Sequence, residues 1–163
     1  MNIRIRPAEA SDLPALAEFG LALARLHVQF DDRRFTVPDS GARTFLDFYR
    51  GELDRPEAVF LIAEERAEPV GYAFLRMEAT SIEPTSERSA WLHDIYVDPP
   101  FRGVGIGRQL VFAAIESARR LGSSCLMLGV APANTRARQL YERLGMRVTM
   151  MEMRLDLAPS PPP

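Results

Sequence analysis

One short stretch decides the fold: residues 97–107 read VDPPFRGVGIG, between a strand pattern and a helix pattern. Three of the ten glycines lie in it, at Gly103, Gly105 and Gly107. Glycine lets the backbone turn tightly and bring its N–H groups close to an anion, and the N-terminus of the following helix adds partial positive charge. The stretch therefore predicts a phosphate-binding turn. The alternative is a turn that only packs a strand tightly against a helix.

The residues around these glycines argue against several common nucleotide sites. The dinucleotide fingerprint GxGxxG fails in both registers, because Arg108 or Leu110 stands at the third glycine position. All 20 basic residues are arginine. Without lysine, the chain has neither the cation of a Walker-type phosphate loop nor a Schiff-base nucleophile for pyridoxal phosphate.

Composition predicts one globular domain over residues 1–157, followed by a disordered proline-rich tail over residues 158–163. The chain has 163 residues, of which 47% are hydrophobic and 26% charged. Twenty basic against 22 acidic residues give a net charge of −2, which disfavours nucleic acid as a partner. No stretch approaches 18 consecutive apolar residues, and the N-terminus has no apolar leader pattern. We therefore expect a soluble cytoplasmic protein that binds no membrane.

The metal-binding residue types are sparse. Cys125 is the single cysteine, and His27 and His93 are the only histidines. These numbers give neither a disulfide framework nor a zinc cluster of cysteine and histidine. A metal site built from carboxylates alone is the alternative, but no spacing supports it, so we predict no metal site.

Hydrophobic periodicity predicts an alternation of strands and helices along the chain. Helices are expected over residues 13–26, 45–53, 105–121 and 134–144, where apolar residues recur at helical spacing or glycine marks an end. Strands are expected over residues 3–6, 58–63, 70–77, 89–97, 126–130 and 146–155.

A second motif lies downstream, where residues 134–146 read NTRARQLYERLGM. The first motif resembles the acyl-CoA motif Arg/Gln-x-x-Gly-x-Gly/Ala of the GCN5-related N-acetyltransferase superfamily, with Arg102, Gly105 and Gly107 at its defining positions. The second resembles the superfamily segment Asn-x-x-Ala-x-x-x-Tyr-x-x-x-Gly-Phe, with Met146 in place of phenylalanine. The resemblance implies a mixed α/β fold: a mostly antiparallel, mixed, twisted sheet of six to seven strands flanked by about four helices, splayed between strands 4 and 5.

The same resemblance implies acetyl-CoA as cosubstrate and assigns its contacts. The strand before the turn pairs with the pantetheine arm through Ile95, Tyr96 and Val97. The helix of the second motif contributes Asn134, Arg138 and Tyr141, although Asn134 is equally suited to cap that helix. The backbone of the turn holds the pyrophosphate; its residues are Arg102, Gly103, Val104, Gly105, Ile106, Gly107 and Arg108.

Tyr141 stands at the superfamily's proton-donor position, seven residues after Asn134 and hence on the same helix face. The alternative is an aromatic residue at the edge of the core. Related polyamine acetyltransferases read Leu-Glu-Asp where this chain reads Leu92-His93-Asp94, so His93 replaces a carboxylate. Histidine has an ordinary pKa near 6.5 and can itself accept a proton. Strict strand alternation puts His93 and Asp94 on opposite faces, but a bulge would change this.

The predicted function is acetyl transfer from acetyl-CoA to a primary amine of a small molecule, peptide or protein. Two alternatives remain: a noncatalytic acyl-CoA sensor of the same fold, and an unrelated phosphate-binding protein with a similar turn. A homodimer is plausible from the resemblance. The acceptor is expected near the first two helices, although Asp31 and Asp32 adjoin two arginines and also suit a solvated charge cluster. The candidates are His27, Phe30, Asp31 and Phe35, with Asp32, Glu83 and Glu87.

Overall fold

The strands and helices follow the predicted order as far as residue 143. The computed structural model describes residues 2–79 and 88–157. The candidates Glu83 and Glu87 and the predicted tail over residues 158–163 lie outside these ranges. The described elements are β1 Ile3–Pro7, α1 Leu13–Phe30, α2 Ala42–Leu53, β2 Ala58–Glu65, β3 Glu68–Ala79, β4 Arg88–Val97, α3 Ile106–Arg120, β5 Leu126–Leu128 and α4 Thr135–Arg143.

The strands form one sheet in the order β1-β2-β3-β4-β5. The first three pairings are antiparallel, and β4 pairs with β5 in parallel. Alternate residues of the strands point to opposite faces, which builds two core clusters. One cluster packs against α3 through Ile106 and Leu110, and the other packs against α1 and α2 through Leu16 and Tyr49. The predicted mixed, mostly antiparallel fold is confirmed, with five strands in the described ranges rather than six or seven.

The predicted splay lies where β5 ends. Pairing between β4 and β5 covers only Ala90 to Leu92 on β4 and stops at the pair Leu92–Leu128. Asp98 donates its N–H to Val70 of β3, at 2.9 Å. Backbone groups alternate sides along a strand, so those of Val97 and Ile95 face away from β3. The second half of β4 therefore has an open edge on the side of β5.

A β-bulge in β4 decides which side chains share a face. Phe74 of β3 lies opposite Asp94, whereas the next pair is Leu75 with Leu92, so His93 is the extra residue. The bulge places Leu92 in the core under α3, while His93 stacks on Phe74 in the core under α1 and α2. Strict alternation would have separated His93 from Asp94. The bulge instead brings both side chains to one cavity.

The predicted strand over residues 146–155 is wrong. The structure shows no strand between Met146 and Leu157. The segment has the alternating pattern of a strand, but it is hydrogen-bonded to no strand in the described part of the chain. Its acidic residues pair instead with Arg33 and Arg34, after α1. A strand needs an edge to pair with as well as a pattern, and the pattern alone predicted this one.

Candidate active site

The glycine turn presents a row of unpaired donors. Gly103 and Gly105 have φ angles of 90° and 94°, in the left-handed region that favours glycine. None of the N–H groups from Gly103 to Arg108 donates to a protein acceptor in residues 2–79 and 88–157. The N–H groups of Ile106, Gly107 and Arg108 belong to the first turn of α3, where backbone donors have no partner within the helix. The turn is therefore suited to an anion such as a pyrophosphate.

The helix of the second motif lies against this turn. A Cβ atom added to Gly107 would lie 3.6 Å from a methyl group of Leu140, and one added to Gly103 would lie 3.5 Å from a guanidinium nitrogen of Arg136. Arg136 is exposed and has no carboxylate partner among the described residues. It adds positive charge where the free N–H groups already favour an anion. Arg136 was not predicted as a site residue, because it stands at no defining position of the second motif.

Three other arginines near the turn have partners within the protein. Arg102 donates to the Val97 carbonyl at 2.6 Å and lies over the Tyr96 ring, 5.2 Å from its centroid. Arg108 lies over Phe112, and Arg138 pairs with Glu142 at 3.6 Å. Arg102 therefore fixes the end of β4. Its backbone N–H donates to the Pro99 carbonyl at 3.2 Å, so the unpaired donors of the turn begin at Gly103 and not at Arg102 as predicted.

Asn134 caps α4, because its side-chain oxygen accepts the N–H of Ala137 at 3.2 Å. Seven residues later, about two helical turns along α4, Tyr141 is 8% exposed. Burial raises the pKa of Tyr141 to about 12. Its hydroxyl has no protein partner in the described ranges, yet it is not sealed from solvent. A phenol of this kind stays protonated at neutral pH and can donate a hydrogen bond to a ligand.

A chain of hydroxyl groups ends at Asp94. Tyr49 donates to the Asp94 carboxylate at 2.8 Å, and Tyr72 donates to the Tyr49 hydroxyl, also at 2.8 Å. Burial raises the pKa of Asp94, and the hydrogen bond from Tyr49 opposes that rise. Both tyrosines are buried, and burial raises the pKa of each phenol, so they remain donors. The carboxylate is thus held in one orientation by groups that keep their protons.

His93 has a different environment although it is the adjacent residue. Its ring stacks on Phe74 with centroids 5.3 Å apart, and its Nε2 lies 3.0 Å from the Glu78 carboxylate. Glu78 also accepts from Arg76, which lowers the pKa of Glu78. Because an ionised carboxylate only accepts, Nε2 carries the proton in this contact, and in the neutral imidazole Nδ1 therefore holds the lone pair. One nitrogen of His93 is therefore able to accept a proton.

His93 and Asp94 lie in the wall of a cavity of about 240 Å³. Most of the remaining wall is aromatic. The residues of this remaining wall were not predicted, because they belong to helix and strand patterns that also describe an ordinary core. The other lining residues are Phe45, Phe48, Tyr49, Phe74 and Arg76.

The four acceptor candidates from the sequence do not line this cavity. His27 packs against Phe35 and Phe30, with centroids 4.9 and 6.4 Å away. Burial lowers the pKa of His27, and the charge of the Asp94 carboxylate opposes this effect. Asp31 accepts the backbone N–H groups of Arg33 and Arg34 and so shapes the turn after α1. Phe30, Asp31 and Phe35 lie in that region rather than at His93.

Two further features of the described residues bear on function. No group of three histidine, cysteine or carboxylate side chains lies close enough to hold a metal ion. None of the helices in residues 2–79 and 88–157 is long and apolar enough to cross a membrane.

Comparison of the sequence with known proteins points to one family. The model of the acetyltransferase (GNAT) family matches residues 23–146. The chain is 34% identical over 143 residues to the uncharacterized N-acetyltransferase YhfO of Bacillus subtilis, covering 88% of this chain and 89% of that protein. This chain spans only 43% and 37% of the lengths of two further acetyltransferases that it resembles.

Solved structures show the same fold. The tetramutant of the BH1408 protein from Bacillus halodurans superimposes with a TM-score of 0.82 at 24% identity, covering 94% of this chain and 99% of that one. The aminoglycoside N-acetyltransferase AAC(6')-Iy in complex with CoA superimposes with a TM-score of 0.72 at 19% identity, covering 96% and 95%. The two sequence motifs, the splayed strands and the family match agree, and this chain belongs to the GNAT acetyltransferase family.

Proposed function

We propose that the protein transfers an acetyl group from acetyl-CoA to a primary amine by direct attack of the amine. One observation carries the proposal: the open edge of β4 at Ile95 and Val97 leads directly into the turn of unpaired N–H groups at Gly103 to Arg108. Extended molecules with amide groups bind to such an edge as an added strand, and a pyrophosphate suits the turn. A cytoplasmic location is part of the same proposal.

The protein's own groups fit acetyl-CoA along this path. The backbone of Ile95 and the N–H of Val97 would pair with the pantetheine amides, since the Val97 carbonyl already accepts from Arg102. The turn with Arg136 would hold the pyrophosphate. A neighbour with the same fold, the aminoglycoside N-acetyltransferase AAC(6')-Iy, is in complex with CoA, which supports CoA as the ligand. When bound, acetyl-CoA supplies the thioester carbonyl that the amine attacks. The N–H groups of the same β4 edge would stabilise negative charge on that carbonyl oxygen.

The aromatic cavity suits the acceptor. An alkylammonium ion is attracted both by aromatic faces and by a carboxylate. Phe45, Phe48 and Phe74 provide the faces, and Asp94 provides the carboxylate. Arg76 does not cancel this attraction, because its guanidinium pairs with Glu52 and Glu78 at 2.8 and 2.5 Å. We assign to Asp94 the holding of the ammonium group.

The amine must lose a proton before it attacks. An alkylamine with a pKa of about 10.4 is neutral in roughly one molecule in 2,500 at pH 7, which adds about 4.6 kcal/mol to the barrier. We assign the proton to Nδ1 of His93. Glu78 holds the opposite nitrogen and would stabilise the imidazolium that forms. His93 is also partly exposed, with 33% of its side-chain surface accessible, so the proton can pass to water.

Tyr141 completes the set. A thiolate leaving group has a conjugate thiol with a pKa of about 8.5, and a phenol that stays protonated can donate a hydrogen bond to it. The absence of a protein partner for its hydroxyl in the described ranges supports this role. Tyr141 thus assists the departure of CoA, and His93 receives the proton of the amine.

The test is thiol release from acetyl-CoA with a panel of amines, run beside thermal shifts with acetyl-CoA and with NAD. The panel contains an arylalkylamine, an n-alkylamine, a polyamine, an amino acid and a peptide with a free N-terminus. We expect stabilisation by acetyl-CoA but not NAD, and saturable release with the apolar amines. Stabilisation without release on any amine would favour the noncatalytic sensor, and no stabilisation would remove acyl-CoA binding.

A further inference from the structure

The wall of the aromatic cavity carries charges of both signs. Asp94 is the acidic residue and Arg76 the arginine among the described residues that line it. An acceptor with both an ammonium and a carboxylate group, such as an amino acid, would suit a carboxylate beside a free guanidinium. The contacts of Arg76 therefore decide which class of amine the cavity accepts.

Arg76 is already engaged by two carboxylates. Its Nη1 donates to Glu52 at 2.8 Å, and its Nε and Nη2 donate to Glu78 at 3.0 and 2.5 Å. Glu52 is only 4% exposed. A ligand carboxylate placed at Arg76 would lie beside both glutamates, where like charges are costly because little water screens them.

The charges of this cluster and of Asp94 sum to a negative value. Arg55, whose side chain is exposed, also pairs with Glu52, at 3.1 Å. The two arginines and the two glutamates thus cancel, and Asp94 leaves one negative charge when His93 is neutral. The site attracts a single ammonium group and repels an acceptor that also carries a carboxylate.

Phe48 gives the cavity an accessible aromatic ring. It is 47% exposed, whereas Tyr49 and Phe74 in the same wall are buried. The Phe48 ring lies edge-on to Phe74, with centroids 6.1 Å apart. An aromatic ring of the acceptor can stack on the exposed part of Phe48, and such a contact adds to the burial of apolar surface.

We infer that the acceptor is a small arylalkylamine without a carboxylate group, and that Arg76, held between Glu52 and Glu78, excludes amines that carry one. The cavity volume of about 240 Å³ lies below the roughly 300–1,000 Å³ of sites for drug-sized ligands, which favours a small molecule over a peptide or protein. The inference rests on the proposed acetyl transfer and names the acceptor class for it.

The acetylation of such an amine uses the groups assigned above. The arylalkylammonium ion loses one proton to His93, which passes it to water. The nitrogen then bonds to the acetyl carbon as the carbon–sulfur bond breaks, and a second proton of the nitrogen ends on the CoA thiol. The products are an N-acetyl arylalkylamine, CoA and one proton.

Matched amines test the acceptor class through kcat/KM for thiol release from acetyl-CoA. The reference amine is 2-phenylethylamine; phenylalanine adds a carboxylate to it, phenylalanine amide adds a neutral group of similar size, and 2-cyclohexylethylamine replaces the aromatic ring. We expect phenylalanine to be poorer than the reference by more than about 100-fold. The amide should stay within about tenfold of the reference, and the cyclohexyl amine should be about fivefold poorer. Turnover of phenylalanine, or of a peptide with an N-terminal phenylalanine, as efficient as that of the reference would overturn the inference.

Glu52→Gln tests whether the Arg76 cluster excludes carboxylates. The glutamine carbonyl still accepts from Arg76, so the guanidinium keeps its position while one negative charge is removed. We expect the ratio of kcat/KM for 2-phenylethylamine over phenylalanine to fall by about tenfold. Asp47→Asn removes an exposed carboxylate from the same helix and should leave the ratio unchanged. An unchanged ratio in Glu52→Gln would overturn the role of Arg76.

Phe48→Leu tests the aromatic contact. In this variant 2-phenylethylamine should lose its fivefold advantage over 2-cyclohexylethylamine, because leucine has no ring on which the acceptor can stack. Phe112→Leu is the matched control, since Phe112 is a similarly exposed phenylalanine on α3. That control should keep the advantage. An advantage that survives in Phe48→Leu would overturn the preference for an aromatic acceptor at this ring.

Binding of the same amines to the protein loaded with CoA separates this inference from the proposed acetyl transfer. Calorimetric titration measures the Kd of each amine without turnover. If no amine is acetylated but 2-phenylethylamine binds more tightly than phenylalanine, the acetyl transfer fails and the selectivity of the cavity is supported. If phenylalanine is acetylated and binds as tightly as 2-phenylethylamine, the acetyl transfer stands and this inference is overturned.

Discussion

His93 and Asp94 are consecutive residues with different chemical surroundings. Asp94 receives a hydrogen bond from a buried tyrosine, and burial raises its pKa. His93 is anchored by Glu78 at one ring nitrogen and is more accessible to water. A carboxylate that already accepts a hydrogen bond is suited to hold a cation, and an imidazole with a free nitrogen is suited to accept a proton.

We expect His93→Gln to lower kcat/KM by about 100-fold and to remove the acid limb of its pH profile. Glutamine can still bond to Glu78, so the fold is kept while the titrating group is lost. Asp94→Asn should instead raise KM for the amine and leave the acid limb in place. The measurement is the pH dependence of kcat/KM for both variants. An acid limb that survives in His93→Gln and disappears in Asp94→Asn would reverse the two assignments.

Tyr141→Phe should lower kcat by about 100-fold with little change in the Kd of acetyl-CoA, because only the donated hydrogen bond is lost. Since burial raises the pKa of Tyr141 to about 12, its phenol stays protonated as pH rises to 10. The wild-type rate should therefore show no basic limb from Tyr141 below about pH 10. Steady-state kinetics and calorimetric titration with acetyl-CoA check both statements. An unchanged kcat would exclude Tyr141 as the acid.

At the scale of elements, the contact between α1 and α2 fixes the position of Tyr49. Gly20 of α1 allows this contact: a Cβ atom there would lie 2.7 Å from both the Phe45 ring and the Tyr49 hydroxyl. The hydroxyl is the group that donates to Asp94. A helix contact distant from β4 in the sequence thus orients the carboxylate of the site.

Gly20→Ala should destabilise the protein by about 1–2 kcal/mol, because the clash outweighs the gain of about 1 kcal/mol in helix propensity. It should also raise KM for the amine, since Tyr49 must move. Gly51→Ala is the matched control in α2, where an added Cβ meets nothing within 4 Å. That variant should be more stable by about 0.5–1 kcal/mol. Urea unfolding measures the free energy of unfolding of both variants. Equal changes in that free energy would exclude the clash at Gly20 as the cause.

The elements differ in how well the sequence predicts them. Helices α3 and α4 have amphipathic patterns and glycines at their ends, and both were predicted within two residues. A bulge in β4 was considered from the resemblance, but its position at His93 could not be predicted, because it depends on the register between β3 and β4. The aromatic cavity was missed for a similar reason: Phe45 and Phe74 come together only when α2 packs on the sheet. The strand over residues 146–155 was predicted from alternation, which cannot show whether an edge is available.

At the scale of the whole molecule, one buried ion-pair cluster ties the N-terminus to the sheet. Arg6 of β1 binds both oxygens of Asp12, at 2.6 and 2.9 Å, and donates to Glu64 of β2 at 2.7 Å. Asp12 and Glu64 are 6% and 7% exposed. Bidentate pairing of this kind is among the stronger polar interactions in proteins. It holds β1, the start of α1 and β2 together.

The hydrogen bond from Arg6 lowers the pKa of Asp12 below its ordinary value of 3.8. The unfolded chain therefore takes up this proton first as pH falls, so the stabilisation is complete above about pH 4.5 and is lost as pH falls toward the folded pKa. We expect Asp12→Asn to cost about 2 kcal/mol at pH 7 and much less at pH 3. Thermal unfolding from pH 7 to 3 measures this. Asp47→Asn, at an exposed carboxylate, should retain the wild-type pH dependence.

The open edge of β4 also determines how fast its backbone amides exchange hydrogen with solvent. Amide protons of Ile95 and Val97 have no strand beside them, so in the free protein they exchange much faster than the paired amides of β3. A ligand that pairs with this edge slows the exchange of those two amides. Deuterium uptake at Ile95 and Val97 would thus report whether a ligand occupies the open edge, without any acceptor or turnover. Comparing acetyl-CoA with the product CoA in this way would show whether product leaves slowly enough to limit the rate.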